Sequence, residues 1–217
     1  MPRIARGRSE PLRLAEWADR CQLRRMTNPT LYSAIVAIAL SASSLQAQGT
    51  LNAMPSGRGT TEVSLVPADS TARANSQPVA IRIDYGQPHL RGRTLHSGNL
   101  VPMDSVWRLG ANNATTLTTA VDLVLGGANI PKGSYALQAL PARSGWKLLI
   151  QKPPASGAAA NTPPVDVARV DLRASTLQSP VESLSIWLIP STEPGAAKGE
   201  LRISWGMTQL STTWSTR

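Results

Sequence analysis

The chain contains no phenylalanine, a single cysteine (Cys21) and only two histidines, His89 and His96. Each shortage removes a class of function. One thiol cannot form an intramolecular disulfide or a cysteine-rich metal set. The two histidines, taken with Asp84 or Asp104, match no zinc spacing, so no metal is expected. No phosphate-binding loop or dinucleotide fingerprint occurs, and Gly92 and Gly126-Gly127 read as turn glycines, so no cofactor is expected either. A nucleophile elbow and a grouped pair of carboxylates are also missing. Six tryptophans and many aliphatic residues take the place of phenylalanine in a modest core.

Charge is present but dispersed. The formal net charge of the 217-residue chain is +9. Seven of its 22 basic and three of its 13 acidic residues lie within residues 1–47, which leaves +5 for the remainder. That balance favours anionic partners. Without a dense Lys/Arg face, nucleic-acid binding is not expected.

Residues 31–42, LYSAIVAIALSA, form an uncharged apolar run of twelve residues. A membrane-spanning helix needs about twenty, so the run reads as the helical core of a signal peptide rather than a transmembrane anchor. Arg24 and Arg25 supply its positive flank, and cleavage is expected near Ala47. The arginine pair lacks the apolar residues that usually follow a twin-arginine signal, which favours the general secretory route; both Met1 and Met26 are candidate starts. An exported product, periplasmic or extracellular, is the expectation. Residues 48–77 are rich in Gly, Pro, Ser, Thr and Ala and read as a flexible linker, with a short strand at 63–66.

From residue 78 to 217 a single β domain is expected. Val79, Ile81, Ile83 and Tyr85 alternate with Ala80, Arg82 and Asp84, the period of a half-buried strand. Further strands are expected at 95–101, 105–109, 114–120, 121–125, 134–140, 146–151, 165–172, 181–189, 201–205 and 207–214. Gly126-Gly127 should make a tight turn, residues 141–145 a hairpin loop, and the Pro/Ala-rich residues 152–164 and 190–199 longer loops. No helical period persists after residue 47. The pattern predicts an all-β fold of about eight to ten short strands, an antiparallel β-sandwich, with a jelly-roll-like or partly closed barrel arrangement as the alternative.

Residues 85–116, YGQPHLRGRTLHSGNLVPMDSVWRLGANNATT, concentrate three arginines, both histidines and an Asn112-Asn113 pair. The pattern Y-G-x-P-x-x-R-G-R, then L-V-P, then V-W-R-x-G-A-N-x-A-T-T, resembles a bacterial domain-of-unknown-function family, number 2911, of small exported β-rich proteins. The similarity runs over about residues 78–209 and includes Ile130-Pro131-Lys132-Gly133-Ser134-Tyr135, Gly145-Trp146-Lys147-Leu148 and Pro180-Val181-Glu182. The resemblance implies the fold and export, and no established activity. His89 stands where the family usually carries an aromatic residue, and Met103-Asp104 where it carries an aromatic-Gly pair. Residues 153–164 replace a segment that in the family resembles Gln-Trp-Gly-Thr.

The same stretch holds the candidate site. Arg91, Arg93 and Arg108 are suited to bind a carboxylate or phosphate bidentately. Alternatively they pair with Asp84, Asp104 or Asp122, or cap backbone carbonyls. Trp107 reads as core, with Arg108 facing outward. Asn112, Asn113, Thr115 and Thr116 suit sugar hydroxyls or the shaping of a turn. Three readings follow. One is a non-enzymatic envelope module that holds a small anionic or glycan-like ligand, or an acidic partner, with Arg91, Arg93, Arg108, Asn112, Asn113, Thr115 and His89. A second is a structural envelope protein in which these residues lock the sheets. The third is a hydrolase using His89 or His96, with Ser97 or Ser105 and Asp84.

Overall fold

The computed structural model describes residues 50–96, 100–153 and 164–217; the expected signal segment, its cleavage position and most of the Pro/Ala loop lie outside them. The compact unit is Asn52–Arg217. Among the described residues no helix is long and apolar enough to cross a membrane.

The fold is all-β, as the alternation predicts. Nine strands form one open antiparallel sheet in the order β1-β2-β3-β6-β7-β8-β9-β4-β5. They are β1 (Arg58–Leu65), β2 (Val79–Gly86), β3 (Thr115–Thr119), β4 (Leu123–Leu125), β5 (Ala128–Ile130), β6 (Gly133–Ala142), β7 (Gly145–Lys152), β8 (Val165–Pro190) and β9 (Lys198–Thr216). A short helix, α1 (Ser70–Ala74), is capped by Asp69, whose carboxylate accepts from the Ala72 N–H.

Strand β1 lies inside the stretch read as a linker and pairs with β2 along its whole length, from Arg58 opposite Gly86 to Leu65 opposite Val79. Its sequence, RGTTEVSL, holds one buried apolar side chain, Val63, which is why alternation marked only its C-terminal half. The expected turn at Gly126-Gly127 joins Leu125 to its partner Ala128, with φ of 53° and 87°. Both values lie in the left-handed region that a two-residue hairpin of this kind requires. The β6–β7 turn is tighter than the expected five-residue loop: Ala142 pairs with Gly145, so that Pro141 sits within a strand.

Two expected strand pairs merge. Residues 165–172 and 181–189 belong to the single 26-residue strand β8. Likewise 201–205 and 207–214 both lie in β9, on either side of Gly206 at φ 59°. Strand β8 pairs with β7 through Trp146–Leu172 to Lys152–Val165 and with β9 from Arg173 onward. It therefore carries the sheet from one half of the fold to the other. The register of β8 on β9 shifts on both sides of the Val181–Gly206 pair. Such irregularities bend a strand and re-aim its side chains.

The sheet doubles over itself, like a sandwich whose layers share strands. One core results, with Ile81, Ile83 and Leu117 from one half and Leu184, Ile186, Leu201 and Ile203 from the other, all at most 2% exposed. The free edge of β8 is closed without a paired strand. Leu184 N donates to Pro88 O (3.0 Å), Ile186 N to the Tyr85 hydroxyl (3.2 Å) and Leu188 N to Thr61 Oγ1 (3.0 Å). Alternate residues of an antiparallel strand direct their N–H groups to the same edge, and buried donors need partners. One carbonyl and two side-chain hydroxyls supply them.

Candidate functional site

The site begins where β2 ends. Gln87 donates through its side-chain nitrogen to Leu184 O (3.0 Å), and Leu90 N donates to Glu182 O (2.9 Å). Between them His89 forms an isolated antiparallel bridge with Ser183, and its Nδ1 lies 2.6 Å from Ser183 Oγ. The chain then reverses at Arg91 and Gly92, with φ of 52° and 75°. A left-handed arginine is strained by roughly 1–2 kcal/mol; the hydrogen bond from Arg91 N to Glu182 Oε1 (2.7 Å) holds it there.

The strands expected at 95–101 and 105–109 do not form among the described residues of those segments. The chain is reversed repeatedly by non-glycine residues at positive φ, Asp104 (57°), Leu109 (54°) and Asn112 (60°). A single rung survives, in which Trp107 and Ala139 exchange both backbone hydrogen bonds at 2.7 and 2.8 Å. Two glycines of the motif explain how the loop lies against β2. A Cβ on Gly86 would stand 1.8 Å from Ala111 O, and one on Gly110 would stand 2.9 Å from Gly86 O. Ala111 N donates to Gly86 O across this contact (3.2 Å).

The predicted residues separate into two groups. Arg108 points outward and donates to Asn112 O (3.0 Å), and Asn112 Nδ2 donates to Ser56 O (3.2 Å). Asn112 thus shapes a turn, while Asn113 is exposed beside it. Thr115, expected with the ligand-facing set, is instead fully buried, and its hydroxyl is spent on Leu109 O at 2.7 Å. Thr116 Oγ1 reaches only Ala114 O, at 3.5 Å. Trp107 is buried, as alternation predicts.

His89, Arg91 and Arg93 come together. With Pro55, Ser56, Pro88, Leu100, Gly110 and Ala111 they surround a cavity of ≈250 Å³ that Trp107 and Trp205 also line. The two indoles stack with centroids 5.8 Å apart and planes 14° from parallel. Arg93 is held from behind, its Nε donating to Leu90 O (2.8 Å) and its Nη2 to His89 O (3.1 Å). None of Arg91, Arg93 and Arg108 forms an ion pair among the described residues. Two of the three carboxylates that sequence offered them are engaged elsewhere. Asp84 pairs with Arg82 (2.7 Å), and Asp122 accepts from Lys132 N (2.8 Å). The hydrogen bond from Arg82 draws the Asp84 carboxyl down to about 2, and a second from Thr60 adds to it.

His96 lines a different cavity. Its Nδ1 lies 3.1 Å from Val101 O, a carbonyl that only accepts, so Nδ1 carries the proton. Among the described residues no group of three or more His, Cys, Asp or Glu gathers as a metal set. A larger cavity, ≈490 Å³ around Trp214, Ile189, Pro190 and Gly199, contains none of the predicted residues. Its Lys198 and Glu193 neutralise each other at 2.6 Å.

Sequence reasoning missed Glu182, Ser183 and Trp205. His89 and Ser183 are 94 positions apart, and no local pattern joins them. The one available signal was Pro180-Val181-Glu182, which resembles the family pattern without a role attached to it.

No curated protein and no solved structure matches the chain. A family model described as "Protein of unknown function (DUF2911)" matches residues 67–213, reaching beyond both ends of the motif-based resemblance. The chain belongs to that family.

Proposed function

We propose that this protein is an exported binding module that holds a small anion, a carboxylate or phosphate, in the cavity formed by His89, Arg91 and Arg93. One observation carries the reading. The guanidinium groups of Arg91 and Arg93 form no ion pair among the described residues and stand together at a pocket with an aromatic wall. Guanidinium groups without an ion-pair partner favour an anionic oxygen donor set. Arg93 is pre-positioned by the carbonyls of Leu90 and His89, which lowers the ordering cost of binding. Export rests on the signal-like residues 31–42 and their basic flank. Arg108 and Asn112 brace the loop at its surface and Thr115 braces it from within, and this reading leaves the ligand to His89, Arg91 and Arg93.

The test is calorimetric titration of the full-length protein with inorganic phosphate and with acetate. Saturable binding that weakens at least tenfold in Arg91→Gln supports the reading. Absence of heat with both anions, or equal affinity in Arg91→Gln and Arg93→Gln, overturns it. A thermal shift provides a second readout, since ligand at a hundredfold its Kd adds ~2.7 kcal/mol.

The 2.6 Å contact of His89 Nδ1 with Ser183 Oγ favours a second reading, a hydrolase with Ser183 as nucleophile and His89 as base. Among the described residues no carboxylate touches the His89 ring to orient it, which ranks this reading lower. Labelling of Ser183 by a fluorophosphonate, lost in Ser183→Ala and His89→Ala, would establish it; an unlabelled wild type would exclude it.

A further inference from the structure

The anion cavity does not stand alone. A second cavity of ≈290 Å³ lies beside it, lined by Leu90, Leu95, Pro180, Gly206 and Met207 together with Arg93, Thr94, His96 and Thr208. Arg93 belongs to both cavities. A small void between them shares Trp107 and Trp205 with the first and Leu95 and Thr208 with the second. The two cavities are therefore neighbours around one arginine whose guanidinium is tied to the backbone on its inner side.

Their chemistry differs. The first carries Arg91, Arg93 and His89; the second is walled by leucine, proline and methionine, and Met207 is 43% exposed. The kink at Gly206 creates the division. Glycine at φ 59°, paired with Val181 where the β8–β9 register shifts, lets Trp205 face the first cavity and Met207 the second. Trp205 is fixed by its own hydrogen bond, Nε1 to Glu182 O (3.1 Å), and the same carbonyl accepts from Leu90 N. Flexible methionine beside rigid apolar walls suits an alkyl chain of variable shape.

We infer that the ligand is a single-chain amphiphilic anion, with its carboxylate or phosphate head at Arg91 and Arg93 and its alkyl chain against Leu90, Leu95, Pro180 and Met207. The inference rests on the anion reading above and adds the chain. It commits to a monomeric ligand rather than to a membrane surface.

The test titrates full-length protein with inorganic phosphate, butyl phosphate, octyl phosphate and neutral octyl glucoside, each below its micelle concentration, reading tryptophan fluorescence and heat. Affinity should rise from phosphate to octyl phosphate by up to about fourfold per buried methylene, which corresponds to ~0.8 kcal/mol each. Met207→Gln, a neutral polar replacement at a 43% exposed position, should flatten that rise, read as the ratio of octyl phosphate to inorganic phosphate affinity. Octyl glucoside should bind at least tenfold more weakly than octyl phosphate. If phosphate binds but chain length changes nothing, the amphiphile inference fails and the anion reading survives. If octyl glucoside equals octyl phosphate, or if no probe binds, both fail. Co-sedimentation with anionic phosphatidylglycerol vesicles without binding of monomeric octyl phosphate would also overturn the inference, in favour of a membrane surface.

Discussion

Tyr85→Phe tests how the sheet is closed. The substitution deletes one oxygen, leaves the ring in place and creates no cavity larger than a hydroxyl. In the native fold Ile186 N donates to that hydroxyl at 3.2 Å, and Ile186 is 2% exposed. Water cannot replace the lost acceptor without opening the edge of β8. A buried donor left without a partner costs about 1–3 kcal/mol. For a protein of this size the melting temperature should fall by roughly 2–4 °C per kcal/mol. Tyr135→Phe is the internal control. That hydroxyl donates to Pro131 O at 2.6 Å, and Pro131 is exposed, so water can take over its carbonyl. The loss there should stay near 1 kcal/mol. Urea denaturation of both variants with a common m-value gives the comparison, and hydrogen exchange at the Ile186 amide localises it. If Tyr85→Phe destabilises no more than Tyr135→Phe, or if Ile186 exchange is unchanged, side-chain closure of the sheet is wrong.

Thr61→Val should act on the same edge. It removes the acceptor of Leu188 N at nearly constant volume and should cost about 1–3 kcal/mol by urea denaturation, with faster exchange at Leu188. Gly86→Ala should lower stability by about 1–3 kcal/mol through overpacking, because the new Cβ meets Ala111 O at 1.8 Å. Gly92→Ala, at φ 75° but in open space, should lose only the ~1–2 kcal/mol of left-handed backbone strain, so reversal of that order in thermal denaturation would contradict the packing. For Asp84→Asn the sign follows from its depressed carboxyl. With the folded value at about 2 and the unfolded one near ~3.9, its contribution is complete above the unfolded value and disappears as pH falls through the folded one. Both partners are partly exposed, so the contribution should stay below ~1 kcal/mol. The stability gap between wild type and Asp84→Asn should therefore narrow from pH 5 to pH 2, and a gap that widens on acidification would refute the pairing.

The alternation of Val79, Ile81, Ile83 and Tyr85 sufficed to place β2, because a strand with one buried face writes its period into adjacent residues. Gly126-Gly127 marked its hairpin for an equally local reason, the need for two consecutive positive φ values. The inward Trp107 and outward Arg108 were legible too, and the motif of residues 85–116 was enough to indicate the family. What alternation misjudged was continuity. Residues 173–180 lie in no expected strand, yet β8 runs through them, since β7 pairs with its first part and β9 with the rest and they hold the backbone extended. Conversely, apolar residues at 95–101 and 105–109 resembled strands, but Leu95, Val101, Trp107 and Leu109 enter the core from a loop whose turns are set by close contact with Gly86. The grouping of the site belonged to tertiary structure alone. Arg91 is anchored by Glu182 and His89 faces Ser183, partners more than ninety residues distant, and Trp205 reaches the same cavity from a kink in β9. Residue type and period are properties of neighbours along the chain; which arginines lose their counter-charges and which carbonyls fix them is decided only when the doubled sheet brings β2, β8 and β9 to one place.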